Sequence, residues 1–305
     1  MATLSPIIRQ QVKASPADFE WLNLLLADWQ IIADLLFSDL VLWLPTEDGS
    51  FIAAGHARAS SAVTIFYRDI DGEKVRNPWA KQVSKAYETC KIVADTAATD
   101  FEGNSIRTTA IPVRRRVSTK SEEVVEKPIA VITRHANLSE VKHPNKIQLN
   151  YLASGSELLE MIVQGAFPSF ANPSANRRGS PRVTDGLLRL DEDGVVDFAS
   201  PNALSAFHRL GVKGDLEGES LAKATTPALA KSSSVDEGLA LVLTGRAPWR
   251  VDLESRQITL SARAIPIRHD GKRTGALVLV RDVTDFRKQE RELITKDATI
   301  REIHH

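Results

Sequence analysis

Apolar residues along this chain follow two periods, and the switches between them outline the elements. Phe19, Leu22, Leu25, Leu26, Trp29, Ile32, Ala33 and Leu36 recur at steps of three and four, as a buried helical stripe requires. Asp39-Leu40-Val41-Leu42-Trp43-Leu44 then reads as a buried strand. The turn residues Glu47-Asp48-Gly49 follow, and residues 50–57 return as its hairpin partner. The pattern predicts another short strand over 63–67, a helix over 77–91, and strands over 105–113 and 128–134. Ile147, Leu149, Leu152, Leu158, Leu159 and Ile162 predict a second long helix over 145–164. A first domain over residues 1–167 is therefore a sheet with an entering and a leaving helix.

Residues 168–184 are rich in proline, serine, asparagine and arginine, have little to bury, and read as a linker. A second domain is expected over 185–285. Strands at 187–190 and 195–199 flank the turn Asp191-Glu192-Asp193-Gly194. Ser200 can cap a helix whose first residue is Pro201, with Ala203, Leu204 and Phe207 on one face and Gly211 at its end. Trp249, Val251 and Leu253 alternate as in a half-buried strand. Residues 258–267 and 275–283 complete an antiparallel series around Asp270-Gly271. Residues 286–305 form a charged terminal helix. The fold class is α+β, with two antiparallel-sheet domains, flanking helices and a C-terminal helix.

The halves echo one another. Ala110-Ile111-Pro112-Val113-Arg114 precedes a loop and Ile129-Ala130-Val131-Ile132-Thr133-Arg134. Ala264-Ile265-Pro266-Ile267-Arg268 precedes a loop and Leu277-Val278-Leu279-Val280-Arg281. The shared order of elements predicts related folds.

Composition narrows the function classes. Lysine plus arginine and aspartate plus glutamate both total 39, so net charge offers no electrostatic case for nucleic acid or an anionic membrane as the main partner. The most apolar stretch, 21–44, is interrupted by Asp28, Gln30, Asp34 and Asp39 and does not read as a membrane span. The first residues lack the basic and apolar regions of a signal peptide, and Cys90 is the only cysteine, so a cytoplasmic location is expected.

The second domain resembles a PAS domain in Asp191-x-Asp193-Gly194-Val195-Val196, in Ser200-Pro201-Asn202-Ala203, and in residues 275–284, which end Asp282-Val283-Thr284 before the charged helix. The first resembles a GAF domain by its order of elements. Lys296-Asp297-Ala298-Thr299-Ile300-Arg301-Glu302-Ile303-His304-His305 resembles the opening of the phosphoacceptor box of one class of histidine kinases, which continues Arg-x-Lys-Asn-Asn-Leu-Gln. Together these are similar to the sensory half of cytosolic actinobacterial sensor histidine kinases. The resemblance implies a soluble homodimer that phosphorylates itself on histidine, with ATP and Mg held by a kinase domain outside these residues. It also implies transfer to a response-regulator aspartate, an RNA-binding antiterminator regulator being the recipient. The 305 residues alone are expected to be inactive, with no cofactor evident in them.

A neutral imidazole suits this chemistry, because its unperturbed pKa of about 6.5 leaves a nucleophilic ring nitrogen near pH 7. The family pattern places the acceptor just before the arginine of the continuation, which selects His305, with His304 as runner-up. Glu302 lies three residues earlier on the same helical face and is positioned to orient the His305 ring. Phe286, Leu293 and Ile300, spaced by seven, suggest one seam of a coil or an ordinary amphipathic tail. His135 and His143 have no neighbouring ligands in sequence, so no metal site is expected. Arg114-Arg115-Arg116 reads as a solvated run, Cys90 as a packed residue, and Asn202 as a brace for its helix. Either sensory domain could hold a small molecule over its sheet. The alternative function is a GAF–PAS ligand-binding or dimerisation module regulating a non-kinase output, which the residues after His305 would discriminate.

Overall fold

The computed structural model describes residues 4–118, 123–125, 127–139, 142–169, 179–229 and 237–303. The chain divides into two compact units, Met1–Pro168 and Ser169–His305.

In the first unit a short helix α1 (Pro6–Gln11) precedes α2 (Pro16–Leu36). Ser15 and Asp18 form a reciprocal capping box at the start of α2, satisfying N–H groups that the first turn cannot pair internally. Phe37, in the left-handed region at φ 49°, ends it. β1 (Asp39–Pro45) and β2 (Phe51–Ala57) form a hairpin. Then come α3 (Trp79–Thr89), β3 (Val93–Ala94), β4 (Thr99–Phe101), β5 (Asn104–Val113), the small hairpin β6 (Arg116–Ser118) and β7 (Glu123–Val125), β8 (Ala130–Asn137) and α4 (Lys146–Val163). The main sheet has the order β2-β1-β8-β5-β3, with β4 also paired to β5. Helices α2 and α4 pack on each other; α3 packs against β5 and β8.

Residues 63–67 are not a strand. Their backbone turns instead to side chains: Ile65 N–H donates to Asp39 Oδ2 at 3.0 Å, and Phe66 N–H to Thr64 Oγ1 at 3.3 Å. Ile65 and Phe66 are buried while Val63 and Tyr67 are exposed, an arrangement that an alternating strand would not give. The arginine run is not a solvated face either. Arg114 Nε donates to Val163 O at 2.5 Å, where α4 has unpaired carbonyls, and Arg115 Nε reaches Asp18 Oδ1 at 3.1 Å.

The second unit contains β9 (Leu187–Asp191), β10 (Val196–Ala199), α5 (Pro201–Leu210), α6 (Leu221–Thr225), α7 (Glu237–Leu243), β11 (Arg250–Glu254), β12 (Thr259–His269), β13 (Lys272–Asp282) and α8 (Thr284–Ile303). Its sheet order is β10-β9-β13-β12-β11. In both sheets the first hairpin lies beside the last strand, and the penultimate strand lies beyond it. The repeated motif occupies equivalent places: Pro112 faces Val131, and Pro266 faces Ala276. Ser200 Oγ caps α5 by accepting from Ala203 N–H, and Gly211 closes it at φ 114°, a conformation that favours glycine. Asn202 braces the same helix by donating to Thr184 O at 2.8 Å. The alternation expected at 249–253 is imperfect, because Arg250 takes a buried position while Val251 is only half-buried.

Candidate functional site

β8 carries Val131, Thr133 and His135 to one face of the first sheet, where period-two alternation aligns them with Asp39, Val41 and Trp43 of β1 and with Ile106, Thr108 and Ala110 of β5. The other residues of this face are apolar, so Asp39, Thr108, Thr133 and His135 put four polar groups into a core. His135 is fully buried. Its Nδ1 lies 3.2 Å from Thr108 Oγ1 and its Nε2 2.8 Å from Thr133 Oγ1. Trp43 Nε1 donates to the same Thr133 oxygen at 2.7 Å. Burial drives the His135 pKa down to about 3, opposed in part by the Asp39 charge and reinforced by His56, so the ring is neutral near pH 7.

Asp39 fastens the loop that closes this nest. Its Oδ2 accepts from Thr64 Oγ1 at 2.6 Å and Ile65 N–H at 3.0 Å, and lies 3.4 Å from His56 Nε2. Burial works against its charge, but His56, Thr64 and the Ile65 N–H together hold its pKa below the ordinary value. Aromatic rings fill the space between. Phe66 packs edge-on against His56, Trp79 and His135, at centroid distances of 5.2, 5.6 and 4.8 Å, and Trp79 lies 4.7 Å from His135. Trp79 Nε1 and His56 Nδ1 are buried without a hydrogen-bond partner. His143 is exposed. Among the described residues, no group of three or more His, Cys, Asp or Glu side chains is disposed to hold a metal ion.

The second unit builds an exit from sheet to helix. Val283 N–H donates to Thr259 O at 2.9 Å. Thr284 Oγ1 lies 2.6 Å from Asp282 Oδ1 and accepts from Thr259 N–H at 3.0 Å. The other oxygen of Asp282 meets Arg209 Nη1, at the end of α5, at 3.1 Å. Asp282-Val283-Thr284 thus joins β12, β13, α5 and the root of α8.

Residues 4–155 match the family described as the GAF domain of histidine kinase PdtaS, and residues 181–288 match the PAS fold. The sensor histidine kinase PdtaS of Mycolicibacterium smegmatis is 32% identical over the whole chain, and that of Mycobacterium tuberculosis is 33% identical. The chain spans 60% of the length of these relatives. A solved structure described as the sensor region of a sensor histidine kinase superposes with a TM-score of 0.73 at 28% identity, covering 94% of this chain and 100% of that one. The chain carries a GAF domain like that of histidine kinase PdtaS, followed by a PAS domain.

His304 and His305 lie outside the described residues. Glu302 falls in the last turn of α8. Leu293 of the heptad seam is 62% exposed, and its neighbour Ile294 is 69% exposed. Among the described residues, no helix is long and apolar enough to cross a membrane. The GAF nest was missed by local sequence reading. The available signal was polar residues at inward positions of apolar strands, such as Thr133 and His135 in Ala130–Asn137.

Proposed function

We propose that this sensor region governs a dimeric sensor histidine kinase, in which His305 accepts the γ-phosphoryl group of ATP and passes it to a response-regulator aspartate. The observation that carries this reading is the match to sensor histidine kinases along the entire chain. ATP and Mg are then held by residues beyond these 305, and Glu302 orients the His305 ring. A cytoplasmic RNA-binding antiterminator regulator as recipient follows from the same family. The Trp79 Nε1 and His56 Nδ1 atoms left unpaired under the 58–78 loop support the GAF nest as the place where a small polar ligand is read.

The test is autophosphorylation of the full-length protein with labelled ATP. His305→Gln should abolish labelling and His304→Gln should retain it; the reverse result moves the acceptor to His304. The 305-residue chain alone should take up no label. Native mass spectrometry of the purified chain, with Trp79→Phe alongside, tests the ligand: a bound mass lost in that variant supports the nest.

A further inference from the structure

α8 leaves the second sheet across β11, and two ion pairs mark the crossing. Arg287 Nε lies 2.7 Å from Asp252 Oδ2, while its Nη2 lies 3.3 Å from Oδ1, a two-pronged contact. One helical turn later, Arg291 Nη2 reaches Glu254 Oε1 at 3.0 Å. Asp252 and Glu254 share one face of β11, with Leu253 turned to the core between them. Four residues of helix rise about 6 Å, and two residues of strand span about 6.6 Å. The spacings match, and residue numbers increase in the same direction along both elements.

The rungs are unequal. The Arg287 and Asp252 side chains are 12% and 29% exposed, and Arg287 is also held by Glu290 at 2.9 Å. Arg291 and Glu254 are 68% and 40% exposed, so salt screens that pair readily. After Arg291, every described side chain of α8 whose surroundings are assigned, residues 292–296 and 298, is exposed. The ladder therefore stands where the helix parts from the sheet.

Sliding the helix by one residue would move it about 1.5 Å and turn it by about 100°. Both guanidinium groups would leave their carboxylates together. We propose that the Arg287–Asp252 and Arg291–Glu254 pairs form a two-rung register lock that fixes the rotational phase in which α8 departs, and with it the direction in which Leu293 faces. Its effect on output rests on the kinase reading above; its effect on the helix does not.

Charge exchange tests the lock. In the 305-residue chain, Asp252→Arg and Arg287→Asp should each speed amide hydrogen exchange over residues 285–292 about ten-fold, and combining them should restore protection to within about two-fold. Glu254→Arg and Arg291→Glu, on the exposed rung where folding is not at stake, should do the same to a smaller degree and only at low salt. In the full-length kinase, the single variants should change the autophosphorylation kcat several-fold with the KM for ATP unchanged, and each exchanged pair should reverse the change. Unaltered protection in the single variants, or no recovery in the exchanged pairs, overturns the lock. Altered protection with an unaltered kcat overturns its role in output. A full-length protein without histidine phosphorylation sinks the kinase reading instead, and hydrogen exchange alone then decides the lock.

Discussion

Trp43 and Thr133, ninety residues apart in sequence, meet through a 2.7 Å hydrogen bond from the indole N–H to the threonine hydroxyl. The same hydroxyl serves His135, so one oxygen satisfies two buried rings. Replacing Thr133 with valine keeps the shape and removes that oxygen. Unsatisfied buried groups cost about 1–3 kcal/mol each. With two rings left unpaired, urea unfolding of Thr133→Val should show a loss of about 2–6 kcal/mol, and Thr133→Ser should recover most of it.

The neutral, buried His135 sets a pH dependence with a definite sign. Its pKa is about 3 in the folded chain and about 6.5 when unfolded. Between those values the unfolded state binds the extra proton, so this contribution is complete above about pH 6.5 and fades as pH falls toward 3. From pH 7 to pH 5 the loss should be about 2 kcal/mol. His135→Gln should flatten the stability-against-pH curve by that amount relative to the unmodified chain. Equal slopes would show that the ring already titrates normally in the folded state.

Gly155 lies where α4 crosses α2. A Cβ there would stand 2.6 Å from Leu36 Cγ and Cδ2 and 3.2 Å from Leu35 Cβ. Alanine is the better helix former by about 1 kcal/mol, but overpacking a filled core costs about 1–3 kcal/mol. Thermal unfolding of Gly155→Ala should therefore show net destabilisation of the GAF unit. A raised Tm would mean that the two helices can separate freely.

Ser200 does double duty in the PAS unit. Its buried hydroxyl accepts from Leu187 N–H at 3.0 Å and from Ala203 N–H at 3.3 Å, tying the first strand to the first turn of α5. Ser200→Ala should cost about 1–2 kcal/mol, read by denaturant unfolding, with the loss concentrated in exchange at Leu187.

The elements legible in the sequence were those whose signal is local. The stripe of α2, the Asp191–Gly194 turn and the Ser200-Pro201 helix start each lie within a few residues. The stretch 63–67 misled because the partner of the Ile65 N–H is Asp39, a distant side chain. Arg114 and Arg115 misled for a similar reason: three charges in a row suggest water, while their partners Val163 and Asp18 come from the two ends of the domain. The nest stayed hidden because Asp39, His56, Trp79 and His135 meet only once the sheet has formed.

The strand order has a consequence for synthesis. Asp39 pairs with His135, and Leu187 pairs with Leu279. Each sheet sets its earliest strand against its latest, so neither can close while its domain is still emerging from the ribosome. The opening hairpins must wait, apolar faces uncovered, until β8 and β13 arrive.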